Sequence, residues 1–343
     1  MPVEVTLLEN ASAEWDGYVA AAPDACIYHD ARWKNVIEET FHHRCHYLLA
    51  SRQGRAAGVL PLVEIRSPWF GRYLVSLPFL TYGGVLAEDG QAADALAQAA
   101  IGLCRETGAR WVELRQRGEA ALDWASRRHK VALVVPVEAG AESLWTHLGS
   151  RLRGKVRKAQ RSGGGFEVLG GEGTRSFYLV FSRNMRDLGT PVYPLRFFEA
   201  IGRHFAAETR VFLVSHGGRI TAAAFGLGDR DCLQLPWICS DYRYSGNYWS
   251  EFLYWSIIEW AAGHGYRLVD FGRSTAGSGN YRFKKQWNPE EIPLAWYYWA
   301  RNDEGPPGLS PDNPRFSLAI RLWRRLPLPV ANLLGPPIVR YLP

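Results

Sequence analysis

The residues of this chain best equipped for chemistry lie between Tyr266 and Trp287. There an apolar run ends at Asp270, a loop with Gly272, Gly277 and Gly279 follows, and Lys284 and Lys285 close it between aromatics. Glycines let neighbouring backbone amides converge on an anionic oxygen. Arg273 adds a planar fork suited to carboxylate or phosphate, and each lysine adds a compact charge. This is the chemistry of holding a phosphorylated substrate or of stabilising a developing oxyanion. The competing reading is a surface hairpin with a solvated basic tip.

The elements that position this stretch occur twice. Arg32, Ile37, Phe41, Leu49, Ser51, Gly54 and Arg55 recur as Arg196, Ile201, Phe205, Leu213, Ser215, Gly218 and Arg219, always 164 residues on. Leu96, Ile101, Gly108 and Val112 recur as Leu253, Ile258, Gly265 and Val269 at an offset of 157, so one loop differs in length between the copies. Each copy reads helix, strand, tight turn, strand, further strand, helix, strand. In the second copy, apolar spacing predicts a helix over 194–207 and strands over 210–215 and 220–227, joined by a Gly217-Gly218 hairpin turn. A helix over 249–262 and a buried strand over 267–271 complete it. The fold class is a mixed α/β (α+β) chain with one unit present twice. The lysine pair has no counterpart in the first copy, which places the candidate site in the second.

Composition sets the outer bounds. A chain of 343 residues, 47% apolar and 22% charged, is long enough for two cores. A net charge of +6 favours anionic partners. Five scattered cysteines without a Cys-x-x-Cys pair argue against a disulfide framework or zinc knuckle and for a reducing compartment. His42, His43 and His46 lie near Cys45 without a second ligand cluster, so no metal site is expected. The acidic first residues do not read as a signal peptide, and no run of 18 apolar residues occurs. The expected location is cytoplasmic, at most peripheral at the inner face of the cell membrane. No nucleophile elbow, P-loop or dinucleotide fingerprint is present, and no DNA-reading helix.

Two flanking segments carry charge of their own. From Arg151 to Arg161 six of eleven residues are basic, while Leu148, Leu152, Val156 and Ala159 form an apolar stripe at helical spacing. No acid stands in that run to form i,i+4 pairs. Residues 303–314 read as a linker rich in Gly, Pro, Asp and Asn. Beyond them Phe316, Ile320, Trp323 and Leu326 share one helical side, with Arg321, Arg324 and Arg325 elsewhere. Residues 315–343 suit either the surface of an anionic membrane or docking on the protein itself.

The basic helix with Arg153, Lys155, Arg157 and Lys158, the Asn184-Met185-Arg186-Asp187-Leu188-Gly189-Thr190-Pro191 segment, and the Asp270-Phe271-Gly272-Arg273-Ser274 to Phe283-Lys284-Lys285 run resemble the FemAB-related proteins. More narrowly they resemble the branch associated with PEP-CTERM and exosortase exopolysaccharide systems. The resemblance implies tandem GNAT-like domains, here a first domain over 1–145, a second over 146–302 carrying the site, and a linker and tail over 303–343. It implies a transferase that moves an acyl or aminoacyl group onto an amine of a cell-envelope or exopolysaccharide precursor. It implies that Lys284, with Lys285 next to it, lies at the acceptor and transfer site; Asp270, with Asp187 as the alternative, is the candidate to accept the amine proton and completes the catalytic set. The basic helix resembles the family's ligand-binding helix, and the candidate substrate-binding set is Arg153, Arg157, Lys158, Asn184, Arg186, Tyr193, Tyr248, Arg273, Ser274 and Tyr281. No tightly bound cofactor is expected; the donor is an acyl-CoA or an aminoacyl-tRNA, and the acceptor an anionic, lipid-linked or nucleotide-linked glycan or peptide. No heptad stretch matches the coiled-coil arm of some aminoacyl transferases. Two alternatives stand beside this reading. One is an acyl-CoA-dependent N-acyltransferase, for which Arg243-Tyr244-Ser245-Gly246-Asn247-Tyr248 sits where a CoA pyrophosphate turn would lie, with Tyr248 crowding it. The other is a non-catalytic binding protein of an exopolysaccharide or protein-sorting system.

Overall fold

Val and Ile alternation and turn glycines divide the chain into strands, and the computed structural model describes residues 2–10, 12–120, 122–302 and 317–342 of it. In chain order the first copy runs β1 (Glu4–Leu8), α1 (Ala13–Ala21), α2 (Trp33–Phe41), β2 (Arg44–Arg52), β3 (Arg55–Ser67), β4 (Gly71–Val75), β5 (Leu86–Ala87), α3 (Gly90–Thr107) and β6 (Trp111–Arg117). After β7 (Ala125–Pro136), α4 (Gly140–His147) and α5 (Ser150–Arg161), the second copy runs β8 (Gly165–Leu169), α6 (Thr174–Leu188), α7 (Leu195–His204), β9 (Thr209–His216), β10 (Arg219–Asp229), β11 (Cys232–Ser240), α8 (Trp249–Gly263), β12 (Leu268–Thr275) and α9 (Gly279–Lys285). β13 (Glu290–Ala300), α10 (Ser317–Trp323) and α11 (Leu328–Val339) follow. The linker predicted over 303–314, and Phe316 of the predicted tail helix, lie outside the described residues.

The chain forms two compact units, the first from residues 2–131, 292–302 and 340–342, the second from 132–291 and 317–339. Strand order in the first is β1-β2-β3-β4-β6-β13, and in the second β7-β12-β11-β10-β9-β8. The predicted repeat reappears in the pairing: β2/β3 and β9/β10 are antiparallel hairpins, while β4/β6 and β11/β12 are parallel. Gly217 and Gly218 take φ of 55° and 72°, the conformation a two-residue hairpin turn demands and only glycine adopts freely.

In the second unit the pleat separates two cores. Phe212, Val214, Ala222, Ala224, Leu233 and Leu235 pack with α8 and with Leu152, Val156 and Ala159 of α5. Phe225 and Trp237 point the other way, into an aromatic group with Phe177 of α6 and Phe197 and Phe198 of α7. The stripe predicted for α5 therefore faces α8 and leaves the basic side chains outward.

Two readings of local structure are corrected. The loop expected to open after Asp270 is strand as far as Thr275, and Gly279–Lys285 is a helical turn rather than loop. Ser278 caps that turn by accepting the Tyr281 amide at 3.1 Å.

Candidate functional site

β11 and β12 pair over three residues only, from Cys232 opposite Leu268 to Gln234 opposite Asp270. Beyond that point β11 continues to Ser240 beside β10, and β12 continues to Thr275 without it. The carboxyl ends of two parallel strands that part in this way open a crevice, the place where α/β sheets bind ligands.

Lys284 sits at this parting. It is buried, and its ammonium donates to the carbonyls of Phe271 at 2.6 Å, Gly272 at 3.5 Å and Arg273 at 3.4 Å. The first contact is short and the other two are at the limit of a hydrogen bond. Burial pushes the Lys284 pKa down to about 8; the nearby Asp270 carboxylate works against that, and Arg273 adds to it. Asp270 is fully buried and its Oδ1 accepts the Gly272 amide at 2.7 Å, holding Gly272 at φ 69°. Ser274 is buried on the same strand, with Asn280 Nδ2 3.5 Å from its hydroxyl.

Lys285, one residue on, turns outward. It pairs with Glu291 at 2.7 Å, and the Tyr281 hydroxyl donates to the same carboxylate at 2.8 Å. The two lysines read together in the sequence thus belong to opposite sides of α9.

The turn from β11 to α8 forms a second wall. Asp241 is buried and accepts a fork from Arg243, with Nη2 at 2.6 Å, and a further bond from Arg183 at 3.0 Å. Burial alone would raise its pKa; the arginine and backbone donors overcome this and hold it at about 2. Tyr248 starts α8 at φ 60°, its ring beneath Lys155 at 5.5 Å and Lys158 at 5.1 Å. Lys155 also pairs with Glu251 at 3.0 Å. Arg157 lies over the Trp145 ring, and Arg153 is half-buried on α5 without an ion pair among the described residues.

The remaining predicted residues come from the other face of this sheet. Asn184 donates to the Ser240 carbonyl at 3.0 Å and so touches the carboxyl end of β11. Arg186 instead binds Asp187 at 2.6 Å and the Leu326 carbonyl at 2.9 Å, and the Tyr193 ring packs among Phe181, Phe197, Phe198 and Trp237. The structure therefore gathers Lys284, Asp270, Arg273 and Ser274 at one strand, sets Tyr248 with Lys155 and Lys158 at the start of α8, and leaves Arg186 and Tyr193 away from both. Asp241, Arg183 and Glu251 escaped the sequence reading because their partners lie far along the chain; only the Asp-x-Arg spacing at 241–243 hinted at the fork.

The first unit holds a cavity of about 440 Å³ whose lining includes Cys26, His29, Tyr82, Gln116 and Arg117. It does not include the lysine. Among the described residues no group of three His, Cys, Asp or Glu side chains is placed to hold a metal ion.

Residues 148–285 match the family of acetyltransferase (GNAT) domains. No curated protein matches the chain. Among solved structures it resembles FemX, at 14% identity over 86% of this chain and 97% of that one, with a TM-score of 0.62. It also resembles the C-terminal domain (DUF2156) of a putative lysylphosphatidylglycerol synthetase from Agrobacterium fabrum, at 15% identity over 78% and 87% of the two chains, TM-score 0.55. A tandem GNAT protein from the clavulanic acid biosynthesis pathway matches at 11% identity over 87% and 98%, TM-score 0.51. At such identities these likenesses define the fold, which is GNAT-like. The family match falls within the second unit, and the parted strands with Lys284 lie inside the matched stretch.

Proposed function

We propose that this chain is an acyltransferase that moves an acyl group onto an amine of an anionic cell-envelope or exopolysaccharide precursor. The observation that carries the reading is the buried Lys284 ammonium at the parting of β11 and β12, held by one short and two long hydrogen bonds. In acyl transfer the amine attacks the donor carbonyl, the C–N bond forms, and the tetrahedral oxyanion must be stabilised before the leaving group departs. Lys284 can exchange its two long carbonyl contacts for that oxyanion while keeping the Phe271 carbonyl. Asp270 favours the charged form the role requires.

The donor we assign is an acyl-CoA, whose thiol leaves with the proton the amine gives up as the C–S bond breaks. What favours it is the match of 148–285 to acetyltransferase domains; Lys155 and Lys158 supply cations near the first turn of α8, but they lie over the Tyr248 ring that crowds the place of a pyrophosphate. The outward face of α5, with Arg151, Arg157 and Arg161, suits a lipid-linked or nucleotide-linked phosphate on the acceptor.

The test measures transfer from acyl-CoA donors to a panel of amines, beside calorimetry with the same donors. Lys284→Met should lower kcat by about 10²–10³, the scale for losing one oxyanion donor. A variant with unchanged kcat at saturating substrate overturns the role of Lys284. Donor binding without turnover favours a binding protein instead.

A further inference from the structure

The tail beyond β13 packs against α6 and the segment after it through its smallest residues. Ala331, Gly335 and Val339 form the buried stripe of α11. A Cβ on Gly335 would stand 2.8 Å from the Val192 amide nitrogen, and one on Gly189 would stand 2.5 Å from Ile320 of α10. The two backbones approach as closely as they do because both positions are glycine.

A helix docked in this way on a water-soluble surface ordinarily presents polar residues outward. Here the outward residues of α11 are Pro329, Val330, Leu333, Leu334 and Pro337, all exposed. Leu333 is 74% exposed, and Leu318 and Leu322 of α10 are 60% and 57% exposed. Exposed Arg321, Arg324 and Arg325 stand among them, and from residue 317 onward the chain has no acidic residue. Exposed apolar side chains interspersed with arginines, on a segment that itself contributes no acidic side chain, match an anionic bilayer surface, where leucines enter the acyl boundary and guanidinium groups meet phosphates. A second protein copy would have to bring its own carboxylates. No helix among the described residues is long and apolar enough to cross a membrane, so the contact is interfacial.

We infer that the outer face of α10 and α11 docks the protein on an anionic lipid surface. The inference stands on these helices alone and does not depend on the acyl donor or on Lys284.

Sedimentation of the full chain with vesicles tests it, using phosphatidylcholine alone and phosphatidylcholine with about one third phosphatidylglycerol. Binding is expected only with the anionic lipid, weakening as salt is raised. The triple variant Leu318→Ser, Leu322→Ser, Leu333→Ser should bind roughly 100-fold more weakly, and the pair Arg324→Gln, Arg325→Gln roughly tenfold more weakly. All five side chains are exposed, and retained transferase turnover and melting temperature confirm that the variants fold. Absence of binding to anionic vesicles, equal binding to neutral ones, or binding unchanged in both variants overturns the proposal. So does a concentration-dependent dimer that the leucine variant abolishes while vesicles leave it unaffected.

Discussion

The two units solve the same problem at the same strand by different means. In each, a parallel pair parts early and leaves backbone carbonyls of its inner strand to be satisfied: β6 in the first unit, β12 in the second. In the first unit the backbone itself does this. Ser76 N donates to the Glu113 carbonyl at 2.9 Å, Gly83 N to the Arg115 carbonyl at 3.1 Å, and the Ser76 hydroxyl accepts the Arg115 amide at 2.8 Å. In the second unit Gly272, the register equivalent of Arg115, offers its carbonyl to Lys284. The side chains differ in the same sense. Glu113 binds Arg115 Nε at 2.7 Å, both buried, with the guanidinium over Trp296, whereas Asp270 caps a glycine and faces a lysine. A carbonyl capped by backbone is fixed; one capped by a side chain can be released to a ligand.

That contrast can be broken experimentally, beginning where the effect is largest. Arg115→Met leaves Glu113 buried without its partner and should cost about 3–5 kcal/mol of stability, read from chemical denaturation. If the cost is negligible, the first unit is not closed by that pair. Ser76→Ala strips the buried Arg115 amide of its acceptor, and a loss of about 1–3 kcal/mol is expected in the same measurement.

The remaining effect is a pH dependence. Lys284 has its pKa lowered to about 8 from 10.5 in the folded chain, so between those values the unfolded chain binds more protons. Stability of the wild-type chain should therefore rise, relative to Lys284→Met, as pH increases from about 8 to 10.5. Turnover that relies on the charged ammonium should fall over the lower part of that window. Parallel stability curves for the two proteins would show that Lys284 titrates as an ordinary exposed lysine.

Much of the fold was legible because the repeat leaves matching marks. Gly54 and Gly218 stand at the same turn, and Val112 and Val269 at the same strand. The edge elements β1 and β8 were not read, since each is only partly buried and alternates weakly. At the site, the position of Lys284 and Asp270 on one short segment was visible. The burial of one lysine and the exposure of the next was not, because residues one apart on a helix point to different sides and only packing decides which is inside. The glycines at 277 and 279 read as loop, while Ser278 in fact begins α9. Arg183 and Asp241 lie 58 residues apart, and nothing in either neighbourhood names the other.

The register of the ladders also carries a record of chain length. Val75 and Leu86 of the first unit occupy the places of Gln234 and Cys239 in the second. Eleven positions separate the first two and five the second two, so the first copy holds six residues with no counterpart. They belong to the detour that brings Ser76 and Gly83 onto β6. A copy without that detour keeps β11 straight, and its free strand end becomes a vacancy that a single side chain from α9 fills. At this strand end the difference between the two copies is then a matter of loop length rather than of a rebuilt core.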